Sequence, residues 1–170
     1  MQRSSSFQTV HLILYSVASS LSFFFDPGKT LIGCRRVPKP GGTLALSIWG
    51  PGDARWIWLG DVYEKFKPFF LADPNITPAH FHEGSTLERA LREAGFQSIH
   101  IMEDQKEFVY LDFDEWWAVQ WSHVNRVVLE SLQSQVMDDF KEDLSRHIKS
   151  VEEPDGIHQI FRVLHAFPEK

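Results

Sequence analysis

The residue types best suited to chemistry lie in a tryptophan-rich stretch that ends in a histidine. Trp116, Trp117 and Trp121 precede His123 in the run "DEWWAVQWSH". Indole faces can sandwich a planar or apolar molecule or pair with a cation. An imidazole titrates near neutrality and can act as a general base. Tryptophans at helical spacing are also typical of a hydrophobic core, and a lone histidine is often structural, so both interpretations stay open here.

The other reactive or metal-ligating side chains do not form a recognisable site in the sequence. His80 and His82 have the two-apart spacing of some metal sites, but no cysteine or carboxylate cluster with ligand spacing accompanies them. We therefore predict no metal. The single cysteine, Cys34, cannot form an internal disulfide, and a small core residue is its expected role. No nucleophile elbow, phosphate loop or Ser-His-Asp ordering appears in the sequence.

These side chains must be positioned by alternating strands and helices, because apolar runs of strand length alternate with segments of helical periodicity. Asp26 and Pro27 are typical of a helix start, while Pro38 and Pro40 end that helix. The pattern predicts strands at 12–18, 43–49, 98–111 and 156–167, and helices at 27–37, 53–70, 85–95, 113–132 and 134–151, with an irregular loop after residue 70.

Two capping signals mark helix starts in the second half of the chain. Ser85 with Glu88 has the spacing of a capping box, and Asp112 with Glu115 repeats it. Gly95 is typical of the residue that ends a helix. We therefore expect both helices to begin with a side-chain cap.

Composition limits the class of protein and its partners. The chain has 170 residues, of which 43% are hydrophobic and 24% charged, as expected of one globular domain. The net charge of −6 argues against a nucleic-acid partner, because phosphate binding needs clustered Lys and Arg. A lone cysteine favours a reducing compartment, and we predict a cytoplasmic protein.

The N-terminal segment offers an alternative location. Residues 1–25 combine an early arginine with an apolar stretch and small residues, as a secretory signal does. However, the phenylalanines at 23–25 follow the region where cleavage would occur. No apolar run is long enough for a membrane span of roughly 20 residues, so we predict no membrane partner and keep a signal sequence as the alternative.

The run from Ser19 to Gly50 resembles the central block of class I S-adenosylmethionine-dependent methyltransferases of the small-molecule type. Its "RVPKPGG" matches the family's Arg-Val-Leu-Lys-Pro-Gly-Gly type sequence, except that Pro38 replaces leucine. The stretches "LREAGF", "DEWWAVQWSH" and "GIHQIFRVLHA" continue the resemblance in order. It therefore covers nearly everything from Leu12 to Lys170.

This resemblance implies an α/β fold. The expected architecture is a partial Rossmann-like methyltransferase sheet, consisting of the last strands with a terminal antiparallel strand, flanked by helices. A helical substrate lid is expected at about residues 112–150. The domain organisation that follows is a divergent segment at 1–11 and a single, truncated domain at 12–170.

Two cofactor-binding features of the family are missing from the sequence. Members hold the methionine part of S-adenosylmethionine with a glycine-rich loop after their first strand, and the ribose with an acidic residue after the second. The eleven residues before Leu12 contain neither glycine nor an acid, and Gly50 and Gly52 follow a later strand. The chain is therefore expected to be the C-terminal half of such an enzyme, without its main cofactor loop.

The resemblance also assigns roles to individual residues. Ser19, Ser20 and Leu21 would border the methionine end of the cofactor, and Phe23 would help close the substrate pocket. Trp116, Trp117 and Trp121 would lie on the substrate lid, with His123 as the general base.

Two functions remain open at this point. One is S-adenosylmethionine-dependent methylation of a small, hydrophobic or aromatic molecule, with the cofactor-binding half supplied from elsewhere. The alternative is a non-catalytic remnant of the fold that acts through association with a partner protein. Homo- or hetero-association would cover the incomplete sheet, because unpaired strand edges and exposed apolar surface favour it.

Overall fold

The computed structural model describes residues 15–18, 26–70, 81–122 and 125–170, with the backbone alone for 15–18. The predicted Leu12–Leu14 portion of the first strand lies outside these residues. The elements in chain order are β1 Tyr15–Ala18, α1 Pro27–Arg36, β2 Leu44–Trp49, α2 Ile57–Phe66, α3 Gly84–Glu93, β3 Gln97–Tyr110, α4 Phe113–Gln120, α5 Asn125–Ser131, α6 Ser134–Ile148, β4 Glu152–Glu153 and β5 Gly156–Glu169, with 3-10 turns at Ala54–Trp56 and Lys67–Phe69 on either side of α2.

The strands form one mixed sheet in the order β1-β2-β5-β3, and the short β4 pairs with β5. β1 is parallel to β2, whereas β5 is antiparallel to β2, β3 and β4. The predicted α/β class, with a terminal antiparallel strand and flanking helices, is confirmed. The sequence did not predict β4. Its turn depends on Gly156, where φ is +136° and a Cβ atom would lie 2.4 Å from the Tyr110 carbonyl oxygen.

One face of the sheet is closed by helices. Leu44, Leu46 and Ile48 of β2 point to this side and are each 1% exposed. Because side chains alternate along a strand, they share the face with Leu164 and Ala166 of β5. We call this side the closed face. It packs against α1 and α3 through Leu31, Leu87 and Leu91.

The opposite side of the sheet, which we call the open face, carries Ala45, Ser47 and Trp49 of β2. Ala45 and Ser47 are half-buried, whereas Trp49 is exposed. Helices cover this side at its far end, where Ile157 and Tyr110 join a second core with residues of α2, α4, α5 and α6. Burying each large apolar side chain there contributes about 1.5–3 kcal/mol.

The two predicted capping signals have different outcomes. Asp112 caps α4 as predicted: its carboxylate accepts a hydrogen bond of 2.9 Å from the Glu115 N–H, and the Glu115 carboxylate accepts one from the Leu111 N–H. The prediction for Ser85 is wrong. The N-cap of α3 is Glu83 and makes no side-chain capping bond, because the helix begins at Gly84 and leaves Ser85 inside its first turn.

The predicted helix over 113–132 is interrupted between α4 and α5. Gln120 ends α4 with a buried side chain whose amide donates to the Trp116 carbonyl. Its side-chain oxygen accepts a hydrogen bond of 3.0 Å from the Asn125 amide, at the first residue of α5. One buried glutamine thus links the two helices, which periodicity alone does not reveal. Among the described helices, none has the length and apolar character needed to cross a membrane.

Candidate functional site

An open cavity of about 890 Å³ lies on the open face, where β2 ends and α2 begins. β1 is parallel to β2 with Ala18 opposite Ser47, so both strands finish at this edge. Ligands of open α/β sheets bind beyond the carboxyl ends of the parallel strands. The cavity therefore occupies the place where this architecture puts its ligand site. Its apolar lining includes Trp49, Leu59, Tyr63, Val128 and Phe161.

The segment from Gly50 to Trp56 forms one wall of the cavity. It runs alongside β5 beyond the point where β2 stops pairing with that strand. Backbone groups at such a free strand edge need other partners. Three hydrogen bonds of 2.9 Å supply them, from the Gly50 N–H to the Arg162 carbonyl, from the Ile160 N–H to the Asp53 carboxylate, and from the Trp56 indole N–H to the His158 carbonyl. The wall is thereby fixed to β5 without forming a strand.

Asp53 is the centre of this attachment. Its side chain is 6% exposed, and Arg55 forms a two-pronged ion pair with it through Nε at 3.1 Å and Nη2 at 2.7 Å. Burial raises the pKa of Asp53, but the hydrogen bonds from Arg55 and from the Ile160 N–H outweigh it and lower the pKa to about 2. Asp53 therefore stays ionised and positions the wall, and its carboxylate is engaged rather than free to accept a proton.

An aromatic row extends from the cavity along the open face. It consists of Trp49, Phe161 and Phe108, with ring centroids 5.9 Å apart for the first pair and 5.5 Å for the second. Trp49 is 46% exposed and Phe108 is 42% exposed. A contiguous exposed aromatic surface of this kind is typical of a ligand or protein contact.

The polar groups of the cavity are few and mostly engaged. Gln159 accepts a hydrogen bond from the Trp116 indole, Asn125 donates to Gln120, and Arg162 donates to the carbonyls of Pro51 and Gly52. Burial raises the pKa of Tyr63 to about 12, so its phenol stays protonated at neutral pH. Among the described lining residues, Asp53 is the one carboxylate and no histidine is present.

The structure separates the three tryptophans that the sequence singled out. Trp116 is 1% exposed and stacks on Trp56 at 5.4 Å, as a core residue does. Trp117 is half-buried and stacks against Phe113. Its ring also makes an edge-to-face contact with Trp121, which is 38% exposed. None of the three is among the residues that line the cavity. Their contact with an acceptor stays a prediction.

The remaining predicted site residues lie outside the described part of the chain. These are Ser19, Ser20, Leu21, Phe23 and His123. Asn125, two residues after His123, lines the cavity. The roles given to all five residues stay predictions.

Sequence reasoning missed the residues that do line the cavity. Trp49 offered a usable signal, because it is a tryptophan at the carboxyl end of a predicted buried strand, and that end is where ligands bind in α/β sheets. The sequence offered no such signal for Phe161. Its place beside Trp49 depends on the antiparallel register of β2 and β5, which pairs Trp49 with Val163.

The described residues do not form a cradle for a nucleotide cofactor. Gly50 and Gly52 follow a strand, as a cofactor loop does, but the Gly50 N–H is bonded to the Arg162 carbonyl. A Cβ atom at Gly50 would lie 3.0 Å from the Arg162 Cβ, so close packing on β5 explains this glycine. The Gly50 N–H is therefore not free to bind a ligand in the way that the N–H groups of glycine-rich loops are.

Comparison with known proteins agrees with the fold. No protein-family model matches the chain. Over 79 residues it is 34% identical to the methyltransferase ucsB of an Acremonium species, which is 45% of this chain and 25% of that protein. A solved structure from Bacillus halodurans, assigned as a methyltransferase, has 18% identity and a TM-score of 0.54, and the match covers 92% of this chain and 68% of that one.

A further solved structure is Haemonchus contortus phosphoethanolamine N-methyltransferase 2 in complex with S-adenosyl-L-methionine. It has 14% identity and a TM-score of 0.41, and the match covers 92% of this chain and 33% of that one. The match to the Bacillus halodurans structure gives the chain a class I methyltransferase fold, and the resemblance inferred from its sequence is confirmed. It spans about a quarter of the length of the curated relative that it matches.

Proposed function

We propose that this chain binds the methyl acceptor in an S-adenosylmethionine-dependent methyltransferase, and that the acceptor is a small, apolar or aromatic molecule. The cavity carries this proposal. Its volume of about 890 Å³ lies within the roughly 300–1,000 Å³ of small-molecule sites, and its lining is mainly apolar with a few polar groups. The methyltransferase fold supplies the reaction class.

The acceptor would lie against the exposed face of Trp49. Stacking on an aromatic ring holds a flat molecule in one plane, and methyl transfer needs this alignment because the acceptor atom must approach the methyl group in line. The apolar residues Leu59 and Val128 would exclude water from the other side. In this proposal the cavity contributes orientation and desolvation.

The cofactor part of the proposal rests on the fold. S-adenosylmethionine carries a methyl group activated by its sulfonium charge. Because the described residues do not fit it, we expect its binding to require residues beyond the described ones or a second polypeptide. Ser19, Ser20 and Leu21 remain the proposed contacts of this chain with the cofactor, and Phe23 a proposed contact with the acceptor.

For hydroxyl or amine acceptors, the proposed general base is His123. The described cavity favours this assignment by elimination, since Asp53 is held by Arg55 and the Tyr63 phenol stays protonated. Replacing His123 with glutamine is expected to reduce the rate about 10²–10⁴-fold, as for other general bases. Unchanged acceptor binding in the same variant would distinguish this role from a structural one.

A second candidate is association with another protein through the open face. Ser47 and His165, joined at 2.9 Å, are half-buried there, and Met102 of β3 is 52% exposed. A sheet of this class ordinarily has both faces covered. The partner could be a second copy of this chain or a different chain. In this candidate the chain is a non-catalytic form of the fold. We expect a cytoplasmic location in either case.

The first experiment is a calorimetric titration of S-adenosylmethionine, and of its demethylated product, into the purified chain, with light scattering to record the oligomeric state. Saturable binding by a monomer would support a methyltransferase complete in this chain. Binding by an oligomer alone would support a partner-dependent enzyme. No binding by a folded chain would contradict independent activity and support either an enzyme that depends on a partner for its cofactor or the association candidate.

A further inference from the structure

A cluster of metal-ligating side chains lies outside the cavity, at the turn between β4 and β5. It contains Glu153, Asp155 and His158, each offering one ligand atom, and these atoms all lie within 4.8 Å of one another. Nε2 of His158 and Oδ1 of Asp155 are 3.0 Å apart. The cluster combines one nitrogen with two oxygen donors, which is a ligand set found around zinc and other transition metals.

The ring of His158 is held from its other side. Nδ1 lies 3.2 Å from Oε1 of Glu107 on β3. Histidines that bind metals ordinarily donate their second ring N–H to a carboxylate, which fixes the tautomer and points the free nitrogen at the ion. Glu107 is placed to do this, so that Nε2 faces the turn as a ligand.

Arg55 orders the carboxylates around this ring. Its guanidinium lies 3.3 Å from Glu107 and 3.5 Å from Glu153, in addition to its ion pair with Asp53. Three carboxylates thus surround one guanidinium, and the Asp155 carboxylate lies beside His158, so these groups carry a net charge of −3 when His158 is neutral. This excess of negative charge attracts a cation.

We propose that Glu153, Asp155 and His158 bind a divalent transition-metal ion, with Glu107 as the residue that orients His158. Bonds of about 2.0–2.2 Å place two ligands of one ion at most about 4.4 Å apart. Because the His158–Asp155 pair is already closer than this, any adjustment falls on Glu153. That side chain is half exposed, and its ion pair with Arg55 is long, at 3.5 Å, so it tolerates a shift of a few tenths of an ångström. Water completes the coordination.

Binding of the ion replaces a proton when His158 is charged. The proton on Nε2, which points at Asp155, passes to solvent, and the lone pair of Nε2 forms the bond to the metal. One imidazole among carboxylates favours zinc, cobalt or manganese over magnesium and calcium, which prefer ligand sets made of oxygen alone.

The test is a calorimetric titration of Zn²⁺ into the tag-free full chain near neutral pH. We expect saturable binding of one ion per chain. His158→Gln and Asp155→Asn each remove a ligand and are expected to weaken binding more than tenfold, while Glu107→Gln weakens it about tenfold. His100→Gln is the matched control, because His100 is an exposed histidine of β3 outside the cluster, and it should leave binding unchanged.

Two results would overturn the proposal. One is the lack of saturable Zn²⁺ binding by the folded chain, which would leave the cluster as a network of ion pairs. The other is retention of the wild-type affinity by His158→Gln. Circular dichroism confirms folding, and Asp155→Asn provides a ligand change at an exposed turn residue if His158→Gln is unstable. The inference does not depend on the proposed methyltransferase function.

Discussion

The two faces of the sheet use the same strands but differ in how they are covered. On β2, Leu44, Leu46 and Ile48 of the closed face are almost inaccessible to solvent. Ser47 and Trp49 lie between and beside them on the open face, half-buried and exposed respectively. The closed face therefore stabilises the fold, while the open face keeps surface available for a ligand or a partner.

Substitutions at adjacent residues of β2 test this difference, and the largest effect is expected on the closed face. Leu46→Ala removes a side chain that is 1% exposed and is expected to reduce the free energy of unfolding by about 2–5 kcal/mol. Ser47→Ala removes one half-buried hydrogen bond to His165 and should cost only about 0.5–1.5 kcal/mol. Urea denaturation measures both.

Equal losses in these two variants would contradict the comparison. They would mean that the open face is packed as tightly as the closed face in solution. Light scattering on the same samples would then show whether a second copy of the chain covers the open face.

The second prediction concerns the wall of the cavity. Asp53→Asn breaks the ion pair with Arg55 and weakens the bond to the Ile160 N–H, so we expect a loss of about 1.5–3 kcal/mol at neutral pH. Asp104→Asn, at an exposed aspartate of β3, is the control and should have little effect.

The lowered pKa of Asp53 also predicts how its contribution to stability changes with pH. The folded pKa of Asp53 is lowered from 3.8 to about 2, so its contribution is complete above about pH 4 and is lost as the pH falls towards 2. The difference in urea midpoint between wild type and Asp53→Asn should therefore shrink over that interval. A difference independent of pH would show that the charge of Asp53 does not hold the wall.

The third prediction tests whether Trp49 at the cavity or Trp121 on the predicted lid contacts the acceptor. Trp49→Ala is expected to weaken binding of a flat aromatic probe, 2-naphthol, by about tenfold, because an aromatic pair is worth about 0.5–1.5 kcal/mol beyond its buried area. Trp121→Ala, at the exposed tryptophan after α4, should change the affinity much less. Equilibrium dialysis of the probe measures both without relying on tryptophan emission.

A larger loss of affinity for Trp121→Ala than for Trp49→Ala would indicate that the acceptor binds at the lid helices that the sequence suggested, and not in the cavity. Equal, small effects would instead show that 2-naphthol does not use either tryptophan, and the cavity proposal would lose its main contact.

Local signals in the sequence predicted most of the elements, because they act within a few residues. The continuous apolar run of β2, the Asp26–Pro27 start of α1 and the glycine after α3 are of this kind. Such local signals did not predict the cavity. It depends on the register that brings Phe161 beside Trp49, and on side chains of Asp53 and Trp56 that replace a missing strand along β5.

The interruption after α4 and the cluster around His158 have the same origin. Gln120 and Asn125 interact only once the chain has turned. Arg55, Glu107, Glu153 and His158 come from four separate segments that the sheet brings together. The proposed ligands Glu153, Asp155 and His158 are close in sequence, but Arg55 and Glu107, which hold their side chains, are distant, so the sequence alone did not identify the cluster.

The smallest expected effect concerns the helix starts on the two sides of the sheet. Asp112→Ala removes the cap of α4 and should cost about 1 kcal/mol, whereas Ser85→Ala in α3 should cost close to nothing. The reason for the difference is packing: α3 is held on the closed face by Leu87 and Leu91, which are fully buried, so its first turn is fixed without a side-chain cap. Thermal unfolding followed by circular dichroism compares the two variants. A loss for Ser85→Ala as large as that for Asp112→Ala would show that α3 does rely on the capping box its sequence suggests, and that burial alone does not fix the start of a helix on the closed face.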